Sequence, residues 1–387
     1  MHDRTVLGPA DVDGATLTAM VAGSLGARDA DVMLLDSRVE EFPYDLPAIT
    51  TGGRYVVSGT ADVDGHRASY ALFVKVVQSW SRSPLFRFVP EEIRDFAESS
   101  VPWRTEPLAY RSDLASCLPD GLTMPRALGV FDLDEKSASI WLQMLCVVDR
   151  PWDDARYARA AYLLGRLAAS PRVAPLAGVG ECEFTMRDYA FGRLSNQVLP
   201  MVRDDGIWQH PLVATTFGED LRRRMQAAAD RVPELVGELM TLPHTSGHGD
   251  ACPNNLLATP DSDDFTLIDY GFWMPMPVGS DLAQLLVGDV QIGKRHADDL
   301  AARDELIVTS YVEGLRAEGC DIPESVVRRS HAVHLLLMSG LSSLPDALLE
   351  SDPTDPEVVR LSTDRAAIAR FALDSVEATS GGFKARR

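Results

Sequence analysis

The sequence predicts an α+β protein with a small β-rich N-terminal lobe and a larger, mainly helical C-terminal lobe. Two apolar runs, at residues 55–60 and 68–77, flank Asp64-Gly65, a dipeptide typical of a β-hairpin turn. Later segments instead carry apolar residues at helical spacing, namely residues 153–168, 303–317, 325–342 and 358–377. Before the last three of these segments, a polar loop at residues 246–257 leads into a short apolar strand.

Other segments complete the smaller lobe. Residues 11–27 carry apolar side chains at helical spacing and predict a helix. Residues 32–35 predict a short strand, and residues 137–145 predict the last strand of the lobe, which enters a linker between the lobes. We therefore divide the chain into an N-terminal lobe, 1–145, with a helical extension at its start, and a C-terminal lobe, 146–387.

Composition limits the classes of function. The 387 residues suit one bilobal enzyme or two domains. A net charge of −20 argues against binding to nucleic acid or anionic membranes, and it favours a cationic small substrate, although an ordinary soluble acidic protein carries the same charge. No apolar run approaches the length of a membrane span, no apolar signal core follows the N-terminus, and the five scattered cysteines form no Cys-x2-Cys pair. We expect a cytoplasmic protein.

The polar loop carries the clearest chemical signal. It contains His248-Gly249-Asp250, with Asn255 five positions after the aspartate, and the apolar strand that follows ends in Asp269. Phosphoryl transfer requires a carboxylate that deprotonates the acceptor hydroxyl, and magnesium on the phosphates prefers carboxylate and amide oxygens. The pattern predicts Asp250 as the catalytic base, with Asn255 and Asp269 as metal ligands. A lone His-Gly-Asp usually marks only a turn, but the complete set is more specific.

A Gly-x-Asp-Leu-Ala run containing Asp281 follows at a fixed spacing. Together these motifs resemble the aminoglycoside phosphotransferase and choline kinase superfamily, whose loop reads His-Gly-Asp-x4-Asn. The resemblance covers about residues 50–286 and implies a bilobal protein-kinase-like fold, ATP as the phosphoryl donor, with GTP as the alternative, and Mg²⁺. It also implies that His248 supports the catalytic loop through hydrogen bonds and that Asp281 anchors the backbone of that loop.

Lys75 lies inside the apolar second strand of the hairpin. On its own, such a lysine either extends to solvent from an edge strand or binds phosphate. The resemblance favours phosphate binding and assigns Glu106, on the next helix, as its acidic partner. Three other carboxylates compete for that role: Glu91, Glu92 and Glu98.

The remaining nucleotide contacts carry weaker signals. Thr51-Gly52-Gly53 resembles the shortened phosphate loop of small-molecule kinases, although two adjacent glycines are also common in turns. The chain has no Gly-x-Gly-x-x-Gly and no Gly-x4-Gly-Lys-[Ser/Thr], which argues against a P-loop enzyme. In the implied fold the linker backbone binds the adenine edge, which makes Gln143 and Leu145 candidate adenine contacts.

The predicted function is ATP-dependent phosphorylation of a hydroxyl on a small molecule, such as an aminoglycoside, an amino sugar or another cationic metabolite, by a monomer or a homodimer. One alternative is an enzyme that phosphorylates Ser or Thr of a natural-product peptide, and another is a nucleotide-binding module without activity. The segment 180–245 should shape the acceptor pocket, since related phosphotransferases insert helices there. Its candidate ligands for a cationic acceptor are Asp188, Asp204, Asp205 and Glu219, although such residues are more often solvated surface carboxylates.

Overall fold

A computed structural model of the protein describes residues 2–43, 48–181, 184–260 and 263–380. Cys182 and the C-terminal segment 381–387, which the sequence predicts to be frayed, lie outside the described residues. No helix in the described part of the chain is long and apolar enough to cross a membrane.

A single sheet of seven strands dominates the N-terminal part of the chain. Its strands are β1 (His2–Asp3), β2 (Val32–Leu34), β3 (Ser37–Glu41), β4 (Thr51–Val63), β5 (His66–Gln78), β7 (Ala127–Asp134) and β8 (Ser137–Gln143). The strand order is β1-β3-β4-β5-β8-β7, with β2 also paired to β4, and every pair except β1 with β3 is antiparallel. This is the small-lobe sheet that the sequence predicts.

The long β4–β5 hairpin turns at Asp64-Gly65, as expected. Both residues have positive φ, 52° and 83°, the combination that a two-residue type I′ turn requires. The far end of the hairpin differs from the predicted phosphate loop at Thr51-Gly52-Gly53. Thr51, Gly52 and Gly53 lie at the start of β4 and not in a turn, because β5 continues to Gln78 and provides pairing partners across an irregular register.

Helix α1 (Gly14–Leu25) covers one face of this sheet and confirms the predicted N-terminal helix. Leu17 packs in one buried cluster with Leu72, Val74 and Trp141 of the sheet. Because successive side chains of a strand point to opposite faces, Lys75 lies on the other face, toward the remainder of the chain. The strand therefore presents its buried lysine to the cleft side.

Helices make up most of the remaining chain. They are α2 (Arg94–Ser100), α3 (Thr105–Arg111), α4 (Leu114–Cys117), α5 (Asp154–Ala169), α6 (Met186–Tyr189), α7 (Leu199–Arg203), α8 (Asp205–Gln209), α9 (Pro211–Thr216), α10 (Gly218–Asp230), α11 (Val232–Leu239), α12 (Asp281–Gln291), α13 (Leu300–Ala317), α14 (Glu324–Leu335) and α15 (Pro356–Ser380). π-Helical segments occur at Ala190–Val198 and Leu336–Gly340. The predicted helix at 325–342 thus ends as α14 at Leu335 and continues as a π-helix.

Two small sheets hold the segments that carry the polar loop. One joins β10 (Leu256–Leu257), β11 (Phe265–Leu267) and β6 (Leu122–Thr123), and the other pairs β9 (His244–Gly247) with β12 (Met274–Pro277). The polar loop runs from the end of β9 to β10. The architecture is the α+β, bilobal kinase-like fold that the sequence predicts.

Helices α5 and α13 pack with their backbones in direct contact. A Cβ atom at Gly165 would lie 2.1 Å from the carbonyl oxygen of Tyr311, and one at Gly314 would lie 2.0 Å from that of Tyr162. Glycine at both positions lets the two backbones touch, which no larger residue permits. The α5 helix also contacts β9, so this rigid pair supports the strand that leads into the polar loop.

Candidate active site

The polar loop is held at its start by one carboxylate. The backbone N–H groups of His248 and Gly249 donate to the two carboxylate oxygens of Asp281, at 2.9 and 2.8 Å. Asp281 is buried in the first turn of α12. Gly249 has a φ of +83°, and a Cβ atom there would lie 2.5 Å from the backbone oxygen of Phe272. The loop anchor predicted for Asp281 is therefore confirmed, and glycine is required at 249.

His248 is fully buried and links the loop to the segment that carries Asp269. Its Nε2 lies 3.0 Å from the backbone oxygen of Ile268, so that nitrogen must carry the proton, since a carbonyl can only accept. The ring packs edge-on against Tyr270, with centroids 5.1 Å apart. Burial lowers the pKa of His248, against the opposing charges of Asp281 and Asp269. The geometry fits the supporting role expected for His248.

Asp250 and Asn255 are directly connected. The Nδ2 group of Asn255 donates to the backbone oxygen of Asp250 at 2.8 Å and to its Oδ2 at 3.0 Å. Burial, followed by repulsion from Asp269, raises the pKa of Asp250 to about 7, while the hydrogen bond from Asn255 acts in the opposite direction. A carboxylate with such a pKa is suited to general base catalysis near neutral pH.

Lys75, Glu106 and Asp269 form an ion-pair network that joins three elements. The Lys75 ammonium lies 2.6 Å from Glu106 on α3 and 2.9 Å from Asp269, which follows β11. Burial would lower the pKa of Lys75, but the two carboxylates outweigh it and raise that pKa. Burial raises the pKa of Asp269, but the Lys75 charge reverses this and holds it below its usual range. Lys75 is charged at neutral pH, and so is Asp269.

Glu106 is the partner of Lys75 that the sequence favours among four candidates. Of its competitors, Glu98 instead accepts from Ser79, Ser81 and Lys136 at 2.6–2.8 Å. The Glu98 carboxylate is therefore already hydrogen-bonded to residues other than Lys75. The choice of Glu106 as the partner of Lys75, which came from the resemblance, is correct.

Asp269 adopts a backbone conformation that is rare outside glycine. Its φ of 67° places it in the left-handed region, which it shares, among the described non-glycine residues, only with Asp64 in the hairpin turn. Such a conformation costs about 1–3 kcal/mol and persists where the surrounding structure imposes it. Here it aims the carboxylate at Lys75, with 35% of the side chain exposed. The neighbouring Ile268 N–H donates to the backbone oxygen of Asn255 at 3.1 Å, which brings both predicted metal ligands together.

The donor set fits a divalent cation shared with a nucleotide. Within the described ranges, no group of three or more His, Cys, Asp or Glu side chains could hold a metal ion by itself. The amide nitrogen of Asn255 is turned to Asp250, which leaves its amide oxygen for another ligand, and Asp269 adds a partly exposed carboxylate. Mg²⁺ is commonly bound through one or two such oxygens together with substrate phosphates.

The two candidate adenine contacts in the linker lie apart from the catalytic residues. Gln143 and Leu145 line a cavity of about 310 Å³ at the end of β8 together with Ser24 and Leu25 of α1, and Ala71 of β5 also contributes. Lys75, Asp250 and Asp269 do not line this cavity. The structure thus brings the linker next to the C-terminal end of α1, a neighbour that the sequence did not suggest. An adenine contact by the linker stays a prediction.

The acidic residues of the acceptor segment are already engaged. Asp188 accepts from the backbone and the hydroxyl of Thr185 in a capping box, and Asp204 caps α8. Asp205 and Glu219 both pair with Arg222. None of the four is paired with Lys75, Asp250 or Asp269, and their role toward a cationic acceptor stays a prediction. The sequence also gave no indication that Phe272 lies against the catalytic loop.

The chain was compared with protein-family models and with solved structures. A model of a phosphotransferase enzyme family matches residues 108–317. Among solved structures, the amicoumacin kinase hAmiN in complex with AMP-PNP, Ca²⁺ and Ami is similar at 13% identity, with 91% of this chain and 90% of that chain covered and a TM-score of 0.45.

Two further solved structures are similar at this level. Spectinomycin phosphotransferase APH(9)-Ia in complex with ADP and its antibiotic is 10% identical over 87% of this chain and 93% of its own, with a TM-score of 0.46. An aminoglycoside phosphotransferase from Alicyclobacillus acidocaldarius is 14% identical over 88% of this chain and 98% of its own, with a TM-score of 0.47. No curated protein matches the sequence. Because the family model spans more than half of the chain, this protein belongs to the phosphotransferase enzyme family.

Proposed function

We propose that this enzyme transfers the γ-phosphoryl group of ATP to a hydroxyl of a small molecule, with Asp250 as the general base. The observation that supports this is that Asp250 and the Lys75–Glu106–Asp269 ion pairs are close enough for their charges to interact. Asp250, whose pKa is about 7, accepts a hydrogen bond from Asn255. The buried Lys75 forms ion pairs with Glu106 and Asp269.

Each side chain has a distinct task in this proposal. Asp250 accepts the proton of the acceptor hydroxyl while the hydroxyl oxygen attacks the γ-phosphorus, the bond from that phosphorus to the β,γ-bridging oxygen breaks, and ADP leaves. The Asn255 amide keeps the carboxylate oriented. Lys75, oriented by Glu106, neutralises nonbridging phosphate oxygens. Asn255 and Asp269 would hold Mg²⁺, which supplies charge neutralisation on the phosphates when bound.

Five further residues are proposed to contact the nucleotide, on weaker sequence signals. Thr51, Gly52 and Gly53 begin the strand paired with the Lys75 strand, so their backbone can approach phosphates from that side. Gln143 and Leu145 are proposed to bind the adenine edge from the linker. We also propose that the lobes divide between residues 145 and 146 and that the nucleotide binds between the two lobes. ATP is proposed as the donor in preference to GTP.

A cationic acceptor such as an aminoglycoside or an amino sugar is the finer version of this proposal. The alternative, a Ser/Thr kinase of peptides, calls for the same catalytic residues and differs only in its acceptor. A module without activity is disfavoured because the base, the lysine and both metal ligands are all retained with matched hydrogen bonds.

The test is nucleotide consumption with Mg²⁺ across a panel of acceptors: aminoglycosides, amino sugars, neutral sugars, choline-like alcohols, apolar alcohols and short Ser/Thr peptides. Asp250→Asn is the blank, and the exposed Asp321→Asn is the matched control. We expect turnover with one class of acceptor, a loss of about 10²–10⁴-fold in Asp250→Asn, and no change in Asp321→Asn. Full turnover by a folded Asp250→Asn protein would refute the assignment of the base.

A further inference from the structure

Arg54 lies directly opposite the lysine that is proposed to bind phosphate. The register of the antiparallel β4–β5 hairpin pairs Arg54 with Lys75. Side chains of such a pair stand on the same face of the sheet, with their Cβ atoms about 4.5–5.5 Å apart. On its other side, in β8, Lys75 is paired with the buried Ile140. The hairpin therefore places two cationic side chains next to each other.

The neighbouring pair of the hairpin shows which face this is. Tyr55 and Val74 form that pair, and both pack in the apolar cluster under α1. Because side chains alternate along a strand, Arg54 and Lys75 must point to the opposite face of the sheet. Lys75 forms its two ion pairs with carboxylates on that face. Arg54 thus shares a face with the ion-pair network and not with α1.

The charge of Arg54 acts on both carboxyl groups of this network. Burial raises the pKa of Glu106, and Lys75, followed by a smaller contribution from Arg54, opposes that rise. Burial would also raise the pKa of Asp269, but Lys75 and, to a smaller extent, Arg54 hold it below its usual range. Arg54 is therefore close to the same two carboxyl groups as Lys75, as the strand register requires.

Binding of a polyanion at this network calls for a second cation. Lys75 is 6% exposed and pairs with two carboxyl groups, so these three residues alone carry more negative than positive charge. Such a surplus repels phosphate oxygens. Arg54 is half-buried and is thus more accessible to solvent than Lys75. Its guanidinium stays charged at physiological pH and can bind a phosphate group through two parallel hydrogen bonds.

We propose that Arg54 is a second phosphate ligand, which contacts the phosphate groups of the bound nucleotide alongside Lys75. The direct pairing of the two side chains and the face of the sheet that they share carry this inference. It rests on the proposed function, because it assigns a further residue to the nucleotide site of the same enzyme. The alternative is that Arg54 only balances the charges of Glu106 and Asp269 from a distance.

The test is equilibrium binding in the presence of Mg²⁺ at 0.1 M and 1 M KCl. ATP is titrated by calorimetry, and adenosine is measured by its competition with ATP. Arg54→Met and Arg54→Gln remove the charge with different side chains, and Arg54→Lys keeps it. The matched control is Arg67→Met, which removes an exposed arginine near the turn of the same hairpin. An unchanged melting temperature without nucleotide identifies the folded variants.

The Kd for ATP should rise about tenfold in Arg54→Met and in Arg54→Gln at both salt concentrations, and Arg54→Lys should recover part of the affinity. Adenosine binding, and ATP binding by Arg67→Met, should stay within about twofold of wild type. The inference is overturned if the two neutral variants bind ATP as wild type does, or if adenosine is weakened by the same factor. It is also overturned if the loss disappears at 1 M KCl, where a Debye length of about 3 Å screens a charge that acts only from a distance.

These measurements need no acceptor, so they separate the inference from the chemistry that it rests on. A wild-type protein that binds no ATP would refute the proposed function and the role of Arg54 together. ATP binding by the wild type that does not depend on Arg54 would refute the inference alone.

Discussion

Replacing Asp250 by asparagine should make the protein more stable while removing its activity. The carboxyl has a pKa of about 7 in the folded chain, against 3.8 for an ordinary aspartate. Because the folded state holds the proton more tightly than the unfolded state, the protonated carboxyl makes its full contribution to the free energy of unfolding only below about pH 4. That contribution is lost as the pH rises through 7. Burial beside Asp269 is the cause.

The size of the effect follows from the pKa difference. At about 1.4 kcal/mol for each pH unit, the ionised carboxylate costs at most about 4 kcal/mol at pH 8.5, and partial contact with solvent reduces this to about 2–3 kcal/mol. At pH 5.5 the destabilisation is smaller, about 1–2 kcal/mol, because the folded carboxyl is still protonated while the carboxyl of the unfolded chain is largely ionised. Asparagine removes the charge and retains an oxygen that accepts from Asn255.

Urea unfolding at pH 5.5 and pH 8.5 measures this difference for wild type, Asp250→Asn and the exposed control Asp321→Asn. We expect Asp250→Asn to be more stable by about 2–3 kcal/mol at the higher pH and by about 1–2 kcal/mol at the lower pH. Asp321→Asn should follow the wild type at both. An Asp250→Asn protein that is less stable than wild type, or whose gain does not grow with pH, would refute the electrostatic reasoning.

Four further predictions concern the same site. The logarithm of kcat/KM for the acceptor should rise with pH up to about 7 and level off above it, as Asp250 ionises; a flat profile from about pH 5.5 to 8.5 contradicts this. Lys75→Met should lower kcat/KM for ATP by about 100-fold in steady-state kinetics, and an unchanged value would remove Lys75 from the phosphate site. Asp281→Asn should lower the free energy of unfolding by about 2 kcal/mol, since its amide cannot accept from both loop N–H groups; wild-type urea unfolding would argue against the anchor. Gly249→Ala should lower kcat by about tenfold or more through its clash with Phe272, whereas normal kinetics would mean that the loop relaxes freely.

The catalytic loop could be predicted because its residues are close in sequence. Asp250, Asn255 and Asp269 fall within twenty positions, and short pairings between β10 and β11 bring them together, so spacing alone carries the geometry. Lys75 could be located because alternation along β5 fixes its face. Its partner Glu106 required the resemblance, since four glutamates precede or begin the helix and only packing chooses among them.

Other features depend on contacts that no local pattern encodes. Gly52 and Gly53 resemble a turn in isolation, yet they lie within a strand because the opposite strand extends past Lys75 to Gln78. Gly53 pairs with Val76, and the register shifts at Gly52. Phe184 and Phe272 are distant in sequence, and only the folded structure brings their rings into contact. The cationic acceptor that the acidic composition suggests stays a prediction. The local caps and arginine pairs of the candidate carboxylates are decided by the folded structure and not by composition.

The most direct test of the account is mass spectrometry of an acceptor incubated with ATP and Mg²⁺ at pH 8. The account predicts that wild type and Asp321→Asn add one phosphoryl group to an acceptor hydroxyl, and that Asp250→Asn produces this species at least about 100-fold more slowly. Equal yields of phosphorylated acceptor from wild type and Asp250→Asn would contradict the claim that Asp250 is the base of a phosphotransferase.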